Sequence, residues 1–379
     1  MKITGIHPAN GQKIEVTFSR NIDRVEPLTG GSDEQTYLAP AWIDIQVNGF
    51  AGVDYNSPET SHEAIARSIH AQFAAGVARL LPTVVTGSRE RTLGCLRNLA
   101  RARSTLAEGA AIEGFHVEGP YISSVEGPLG AHPREFVRPP DLDEFLAFQE
   151  AAEGHILLMT LAPELPGALR FIEKVTAMGV KVSIGHSNAT IEDIQNAVSA
   201  GASLSTHLGN ASLRIMPRHP NIMWEQMAED RLMASFIVDG FHLPLSFLRT
   251  GWRAKGASRF ILITDASTPA ACPPGTYHLG ALEVELHNDG SIRLAGSSRL
   301  AGSALALCDA ISNLMRDAGV SLSDAIDAST KNPATALNLP NRQKGLGVGE
   351  RADFVRFTLR DGRISILETY LDGQQVFHK

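Results

Sequence analysis

The sequence predicts an α/β protein: a (β/α)8 TIM-like barrel with a small β-sandwich domain built from the N- and C-terminal segments. Three observations predict this fold. Eight apolar runs of strand length alternate with segments of helix length through the middle of the chain. Several runs stop at Gly, Ser or Asn beside a polar side chain. Both ends of the chain instead show short strand-like runs separated by turn residues. Alternating strands and helices are typical of a barrel, whose strands all end at one face.

Length and composition agree with a barrel that carries one small appended domain. The chain has 379 residues, of which 43% are hydrophobic and 20% are charged, ordinary values for a globular protein. The net charge of −7 and the lack of a Lys/Arg block argue against a nucleic-acid partner. No apolar run of about 18 residues is present, so no membrane partner is expected. Three scattered cysteines, Cys95, Cys272 and Cys308, indicate reduced thiols and a cytoplasmic protein.

The two ends of the chain differ from the middle. We assign residues 1–39 and 340–379 to the small β domain and residues 40–339 to the barrel. The N-terminal stretch alternates weakly between apolar and polar residues, and the tail from Gly345 is again strand-like. Turn dipeptides occur at Asn10-Gly11, Gly30-Gly31, Asp361-Gly362 and Asp372-Gly373. The barrel is therefore expected to be inserted between the two halves of the small domain.

The barrel strands are expected at the eight apolar runs. These are residues 41–47, 78–85, 111–118, 156–161, 180–185, 202–207, 233–238 and 259–265. Helices are expected between most of them. Ser61–Ala75 has apolar residues at helical spacing, and Thr190–Ala200 has Thr190 in position to cap its N-terminus.

After the eighth run the pattern becomes β-rich and then helical. Tyr277–Leu286 and Ser291–Leu294 flank Asn288-Asp289-Gly290, which predicts a hairpin. Helices are expected at Ala304–Ala318 and Ser323–Ala336.

Four side chains of metal-binding type stand where apolar runs stop: Glu118, His186, His207 and Asp265. In a barrel these positions converge on the face where active sites lie. His207 follows His186 by 21 residues, the length of one helix plus one strand, which places the two on neighbouring strand ends. Three ligands with an uncoordinated carboxylate are typical of a hydrolytic metal site.

Other roles stay open for each of these residues. Glu118 can instead accept hydrogen bonds from the backbone of the following turn. His186 and His207 can be hydrogen-bonded core residues. Asp265 can be a ligand, a base or the N-cap of a following helix.

The end of the first strand argues against a second metal ion. Gln46 and Asn48 stand there, and neutral amides are poor ligands for zinc-like ions. No lysine ends the run 156–161, so a carbamylated lysine that bridges two ions has no source. We therefore expect one metal ion, with a weak or lost second subsite at Gln46 and Asn48.

Nine short peptides spread along nearly the whole chain are informative as a set. They are Pro40–Gly49, His116–Pro120, Gly130–Pro133, Gly185–Thr190, Thr206–Leu208, Asp239–His242, Thr264–Ala266, Leu300–Ala304 and Asn332–Ala334. Together, and in this order, they resemble the family of N-acetylglucosamine-6-phosphate deacetylases within the amidohydrolase superfamily. None of them is specific alone.

The resemblance implies a metal-dependent hydrolase that cleaves the acetamide of N-acetylglucosamine 6-phosphate to glucosamine 6-phosphate and acetate in amino-sugar catabolism. Glu118, His186 and His207 would hold one divalent ion per chain, zinc or alternatively Fe, Co or Mn. Asp265 would act as general base and then as general acid. His132 would orient or polarise the acetamide carbonyl.

The resemblance also implies the residues that bind the substrate. His242 and Arg218 would bind the sugar phosphate, and Arg218 would reach across from the partner subunit of a homodimer. Asn210 and the backbone of Ala211 would help to position the sugar.

Two peptides beside the expected substrate pocket depart from the family pattern, Gly209–Ser212 and Pro217–Asn221. They leave open a different N-acetyl sugar, either of the galactosamine type or without a phosphate. Two further alternatives are a cyclic-amide hydrolase of the same fold and a catalytically inactive barrel that acts as a scaffold. The metal content of the purified protein separates these classes. A deacetylase is expected to hold one ion per chain, a cyclic-amide hydrolase two ions, and an inactive scaffold none.

Overall fold

The computed structural model describes residues 1–28 and 35–379. The turn expected at Gly30-Gly31 lies outside the described residues. Within the described residues, the first strands are β1 (Lys2–Ile6), β2 (Lys13–Phe18), β3 (Ile22–Pro27) and β4 (Thr36–Pro40).

Strands and helices then alternate. The next elements are β5 (Trp42–Val47), the short strands β6 (Gly49–Phe50) and β7 (Val53–Asp54), α1 (His62–Ala74), β8 (Val77–Val85), α2 (Arg89–Thr105), β9 (Phe115–Glu118), α3 (Leu142–Ala151) and β10 (Ile156–Leu161). They are followed by α4 (Ala168–Ala177), β11 (Lys181–Ile184), α5 (Ile191–Ala200), β12 (Leu204–Ser205), α6 (Ile222–Ala228), β13 (Met233–Ile237), α7 (Leu245–Lys255) and β14 (Phe260–Ile263). The last elements are β15 (Gly275–Leu279), β16 (Leu282–Leu286), β17 (Ile292–Leu294), α8 (Leu307–Ala318), α9 (Leu322–Asp327), α10 (Lys331–Ala336), β18 (Phe354–Arg360), β19 (Arg363–Leu371) and β20 (Gln374–His378).

Eight parallel strands form the barrel in the order β5, β8, β9, β10, β11, β12, β13 and β14. Hydrogen bonds where the chain leaves β5 and β14 close it. The Asp265 N–H donates to the Gln46 carbonyl at 2.9 Å, and the Asn48 N–H donates to the Ala266 carbonyl at 2.7 Å. Each predicted apolar run overlaps one of these strands, so the predicted barrel is confirmed.

Side-chain caps explain where two of the helices begin. The Ser61 hydroxyl accepts a hydrogen bond from the Ala64 N–H at 3.2 Å at the start of α1. At the start of α5, Thr190 and Asp193 form a reciprocal capping box. Such caps satisfy N–H groups that have no partner inside the helix. No helix within the described residues is both long and apolar enough to cross a membrane.

The predicted strand Tyr277–Leu286 is wrong in extent. It is two strands, β15 and β16, which are separated at Gly280-Ala281. Gly280 has a φ of +61°, a left-handed conformation that glycine adopts at no steric cost and that allows the chain to reverse. The hairpin predicted across Asn288-Asp289-Gly290 is confirmed, because β16 and β17 pair antiparallel on either side of it. β15 adds a third antiparallel strand to this sheet.

The predicted helix Ser323–Ala336 is also wrong, because two helices, α9 and α10, take its place. Pro333 has no N–H and could not donate to the Ser329 carbonyl in a continuous helix, where its ring would also clash. The hydroxyls of Ser329 and Thr330 instead donate to the Ile326 carbonyl at 3.0 Å and 2.7 Å.

Strands from both ends of the chain form one sheet, in the order β20, β19, β18, β4, β1, β2 and β3. Phe18 on β2 and Phe354 on β18 are three strands apart in this sheet, yet their ring centroids lie only 5.0 Å from each other. Neighbouring strands are about 4.8 Å apart, so a flat sheet would hold these rings much farther from each other. The sheet therefore curls until its two halves face across a small apolar core. The small β-sandwich built from both termini is confirmed, whereas its predicted limits at residues 39 and 340 stay a prediction.

Buried charges join this curled sheet to the barrel. Arg79, near the start of β8, donates from Nε to Asp353 Oδ2 at 2.9 Å and from Nη2 to Asp372 Oδ1 at 2.7 Å. Arg342 donates from Nη2 to the Ala41 carbonyl at 2.7 Å. Buried charges persist in folded proteins when they are paired in this way. Because Arg79 lies near the start of its strand, the contact is at the end of the barrel opposite the predicted site.

Candidate active site

The carboxyl ends of β9, β11 and β12 bring Glu118, His186 and His207 together. Oε1 of Glu118 lies 3.1 Å from Nε2 of His186 and 3.0 Å from Nε2 of His207. The two Nε2 atoms are 3.1 Å apart, and all three side chains are buried. The structure thus places the three predicted metal ligands in one cluster that can hold a metal ion.

The tautomer of His186 shows why this cluster fits a cation. Its Nδ1 lies 2.9 Å from the carbonyl oxygen of Pro128, so Nδ1 carries the ring proton. In the neutral ring, Nε2 then has a lone pair and no proton, and it faces a carboxylate oxygen. Lone pairs that converge at this distance repel unless a proton or a metal cation lies among them. One carboxylate and two imidazoles are also a ligand set of hydrolytic zinc sites, so these residues fit a divalent metal.

Three residues of the site have a left-handed backbone. The φ angle is +52° at His186, +31° at His207 and +48° at Asp265. Non-glycine residues adopt sparsely populated conformations at a cost of about 1–3 kcal/mol, and such residues cluster at functional sites. All three stand two residues after a barrel strand, so the strain coincides with the predicted site.

Asp265 lies beside the cluster and is held by two amides that follow or end β5. Asn48 Nδ2 donates to Asp265 Oδ1 at 2.7 Å, and Gln46 Nε2 donates to the same oxygen at 3.3 Å. Gln46 Nε2 also lies 3.1 Å from Glu118 Oε1. Burial and the nearby Glu118 carboxylate raise the pKa of Asp265, which suits a group that exchanges protons near neutral pH. The two amides occupy the place expected for a weak or lost second-metal subsite.

His132 packs edge-on against His186, with ring centroids 4.3 Å apart and ring planes at 82°. Burial lowers the pKa of His132 to about 3, so its ring is neutral at physiological pH. Its Nδ1 is buried and has no hydrogen-bond partner among the described residues. The ring also lines the cavity at this end of the barrel, where a ligand can contact it.

A cavity of about 340 Å³ opens at this end of the barrel. It is lined by the predicted metal ligands and acid–base residues and by the predicted substrate residues: Glu118, His132, His186, His207, Asn210, Ala211, His242 and Asp265. Its size falls in the range of about 300–1,000 Å³ that is usual for small-molecule sites. The structure therefore gathers almost all of the predicted site residues around one cavity.

His242 is held in the cavity wall by Asp239. Asp239 Oδ2 lies 2.6 Å from His242 Nδ1, and Oδ1 accepts hydrogen bonds from the backbone N–H groups of Phe241 and His242 at 2.9 Å each. Although burial opposes ionisation, these contacts lower the pKa of Asp239. Because Nδ1 is used by Asp239, Nε2 is the ring nitrogen left for a ligand.

Arg218 is a predicted substrate-binding residue that does not line the cavity of its own chain. Its side chain is exposed, and its role stays a prediction. Two arginines that the sequence analysis missed, Arg214 and Arg299, line the cavity instead. Arg299 donates to the Gly130 carbonyl at 2.9 Å and to Glu126 Oε1 at 2.7 Å. A signal for Arg299 was its place directly before the peptide Leu300–Ala304, whereas no pattern pointed to Arg214.

Comparison with known proteins shows related chains of similar length. The model of the amidohydrolase family matches residues 37–376. N-acetylglucosamine-6-phosphate deacetylase of Danio rerio is 32% identical over 359 residues, which cover 91% of this chain and 86% of the relative. N-acetylgalactosamine-6-phosphate deacetylase of Escherichia coli O157:H7 is 31% identical over 356 residues, which cover 93% of this chain and 92% of the relative. The crystal structure of N-acetyl-D-glucosamine-6-phosphate deacetylase from Mycobacterium smegmatis matches with a TM-score of 0.90 at 28% identity, over 100% of both chains.

These matches extend over nearly the whole chain and include both the barrel and the sheet formed by its two ends. They agree with the cluster of Glu118, His186 and His207 at the carboxyl end of the barrel. The chain therefore belongs to the amidohydrolase family, in the group of the N-acetylglucosamine-6-phosphate deacetylases and their close relatives.

Proposed function

We propose that this chain hydrolyses the acetamide of N-acetylglucosamine 6-phosphate and releases acetate and glucosamine 6-phosphate, a step of amino-sugar catabolism. The observation that carries the proposal is the convergence of Glu118, His186 and His207 beside Asp265 at one cavity. The likeness to deacetylases of acetylated amino sugar phosphates supports the substrate class.

Glu118, His186 and His207 would hold one divalent ion per chain, zinc or alternatively Fe, Co or Mn. When bound, such an ion lowers the pKa of a water molecule and so supplies a nucleophile at neutral pH. We propose a single ion because Gln46 and Asn48 use their amide N–H groups as hydrogen-bond donors to carboxylates.

The protein's own side chains would move the protons. Asp265 takes one proton from the attacking water and later returns it to the amine nitrogen as the C–N bond breaks. Its raised pKa suits both directions of transfer. The neutral ring of His132 donates a hydrogen bond to the acetamide oxygen, which becomes negative when the water oxygen adds to the carbonyl carbon.

The remaining cavity residues would bind the sugar phosphate. Asn210 and the backbone of Ala211 line the cavity and would position the sugar. His242 would bind the phosphate from the same wall. Arg214 and Arg299 add positive charge there, and arginine forms strong charge-assisted hydrogen bonds with phosphate.

We also propose a homodimer in which Arg218 completes the phosphate site of the partner subunit. Arg218 is exposed between β12 and α6. The same segment exposes 90% of Ile215, and α6 exposes 48% of Trp224. Large apolar side chains that are exposed close together in sequence favour burial against a partner. A second copy on this surface would bring Arg218 to a neighbouring cavity.

The proposed location is the cytoplasm. Its support is that Cys95, Cys272 and Cys308 are free thiols, as is usual in a reducing compartment.

N-acetylgalactosamine 6-phosphate is the second candidate substrate, because a relative named for this activity is 31% identical over nearly the whole chain. The two sugars differ in the orientation of the C4 hydroxyl, so their acetamide chemistry is the same. The metal cluster and Asp265 therefore serve both sugars equally well.

Acetate release from N-acetylglucosamine and N-acetylgalactosamine, each with and without a 6-phosphate, tests the proposal. We expect the highest kcat/KM with N-acetylglucosamine 6-phosphate and values lower by about 10-fold or more without the phosphate, because each lost 1.4 kcal/mol of binding costs a factor of ten. His207→Ala should abolish the activity, while His378→Ala, at an exposed position, should not. Metal-loaded protein that releases acetate from none of these sugars would overturn the proposal. Preference for the galactosamine sugar would select the second candidate.

A further inference from the structure

Two amides converge on one oxygen of Asp265. The donors are Asn48 Nδ2 at 2.7 Å and Gln46 Nε2 at 3.3 Å, and both point to Oδ1. Within the described ranges, no residue donates a hydrogen bond to the second oxygen of Asp265, Oδ2. Asp265 lines the cavity. We propose that Asn48 and Gln46 are positioning residues, whose N–H groups hold Oδ1 so that Oδ2 takes up and returns the proton. This inference rests on the proposed deacetylase function.

Backbone hydrogen bonds fix the positions of Asn48 and Asp265 relative to each other. The Asn48 N–H donates to the Ala266 carbonyl at 2.7 Å, and the Asp265 N–H donates to the Gln46 carbonyl at 2.9 Å. On its other side, the Asn48 carbonyl accepts a hydrogen bond from Asn56 Nδ2 at 3.2 Å. Asn48 and Asp265 therefore stand on the two strand ends that close the barrel, and they cannot separate without opening it. A donor held this rigidly orients a carboxylate at little cost in entropy.

The two hydrogen bonds make the oxygens of Asp265 chemically unequal. A carboxylate oxygen that already accepts from two amides would hold these bonds more weakly if it took a proton, because protonation removes its negative charge and uses one of its lone pairs. Oδ2 has its lone pairs available. Proton transfer also needs an acceptor within hydrogen-bond reach of the water, and the two amides prevent the carboxylate from rotating away.

Gln46 has a second function in this arrangement. Its NH2 group carries two hydrogens, and the same nitrogen lies 3.3 Å from Asp265 Oδ1 and 3.1 Å from Glu118 Oε1. The amide therefore bridges the base and the metal-ligand carboxylate and offsets the repulsion between them. Gln46 sets the spacing of these carboxylates without a second cation.

A double-mutant cycle tests the proposal. Asn48→Leu removes the donor at similar volume, and we expect kcat to fall about 10–100-fold, a usual effect of losing a residue that orients a catalytic group. KM should change less than about 2-fold, and one metal ion per chain should remain bound. In Asp265→Asn, which lacks the base, Asn48→Leu should change the residual kcat less than about 2-fold, because Asn48 acts through Asp265.

Gln72→Leu is the matched control. Gln72 is a fully buried amide on α1, and neither of its side-chain atoms has a partner among the described residues. Replacing it by leucine should leave kcat at the wild-type value. The cycle is measured as acetate release at high enzyme concentration, with metal content and thermal unfolding determined for each variant.

An equal loss of kcat in the wild-type and Asp265→Asn backgrounds would overturn the positioning role, since a general structural defect acts with or without the base. A wild-type kcat in Asn48→Leu would overturn it as well. If Asn48→Leu does not fold, Asn48→Ala provides the same cycle with a smaller side chain that has no donor and introduces no charge. Wild-type protein that releases no acetate would instead reject the proposed function, so the two failures are distinct.

Discussion

The Nδ1 atom of His186 lies 2.9 Å from the backbone oxygen of Pro128, a residue 58 positions earlier in the chain. This hydrogen bond selects the tautomer of His186 and directs its Nε2 toward Glu118 and His207. Gly130, two residues after Pro128, packs directly against the same ring. The loop after β9 therefore supports a metal ligand that belongs to a different strand.

Gly130→Ala is expected to weaken metal binding about 10–100-fold, the usual cost of disturbing a residue that supports a ligand. Gly130 has a φ of +61°, and a Cβ there would lie 3.0 Å from Cε1 of His186, so the ring would have to shift. Gly154→Ala is the matched control, because Gly154 has a φ of +80° and no atom within 4 Å of an added Cβ. Competition with a chelator measures the affinity. Equal affinities of the two variants would contradict the supporting role of the loop.

Removal of a metal ligand should release the ion. His186→Ala and His207→Ala are each expected to lose both bound metal and turnover, because two remaining ligands do not make a tight site. Gln46→Leu and Asn48→Leu should keep one ion per chain. Elemental analysis of the purified proteins checks this. Stoichiometric metal in either histidine variant would show that the ion binds elsewhere.

Asp265→Asn keeps the shape of the side chain but cannot accept a proton. We expect kcat to fall about 10²–10⁴-fold, the usual contribution of a positioned acid–base group, while the metal content stays at the wild-type level. Acetate release and metal analysis on the same preparation are the measurements. Near-normal turnover would remove Asp265 from the proton transfer.

Arg218→Ala is expected to lower kcat/KM about 10–100-fold for the phosphorylated sugar, corresponding to the loss of one or two charge-assisted hydrogen bonds. The slower reaction of the unphosphorylated sugar should hardly change. If Arg218 acts in the partner subunit, mixing Arg218→Ala chains with Asp265→Asn chains should restore activity. The mixed dimer then contains one cavity with an intact base and the partner's intact arginine. An equal loss for both sugars would argue against phosphate binding by Arg218.

Asp353→Asn tests the contact between the barrel and the small sheet. Burial opposes the ionisation of Asp353, but Arg79 and Arg342 lower its pKa below the usual value. A carboxyl group with a lowered pKa stabilises the folded protein above its unfolded pKa, and this stability is lost as the pH falls through the folded pKa. We expect the variant to lose about 3–5 kcal/mol of unfolding free energy at pH 7, the usual cost of breaking a buried ion pair.

The acid side of the stability curve gives the second check on Asp353. Wild-type stability should decrease below about pH 4, near the unfolded pKa of aspartate, and the variant should show a shallower decrease. Asp361→Asn, in the exposed turn between β18 and β19, is the control and should stay within about 0.5 kcal/mol of wild type. Denaturant unfolding at several pH values provides the measurement. Parallel pH curves for wild type and Asp353→Asn would contradict the ion-pair account.

Local sequence patterns were sufficient to predict the barrel and its three metal ligands. Strand and helix periodicities are properties of neighbouring residues, so the eight runs, the helix near residues 61–75 and the cap at Thr190 could be recognised without tertiary information. Glu118, His186 and His207 followed because parallel strands in a barrel end at one face. Local patterns were insufficient at 111–118, where the strand begins only at Phe115, since a short apolar run does not separate a strand from another buried segment.

The sequence by itself determined the fold class and a small domain made from both ends of the chain. It also determined which strand ends carry the metal ligands, and that the amides Gln46 and Asn48 stand at the end of the first barrel strand. Only the tertiary structure decided that the Pro128 carbonyl orients His186, that Asn48 and Gln46 share one oxygen of Asp265, and that Arg214 and Arg299 line the cavity while Arg218 does not. The physical reason is the same in each case. Every residue has a backbone carbonyl, and many have donors, so what distinguishes these groups is the path of the chain in three dimensions. Loops across the barrel mouth place Pro128 and the arginines, and closure of the barrel between β5 and β14 places Asn48 and Gln46 beside Asp265. Distances between residues far apart in the chain depend on that path, which no local pattern encodes.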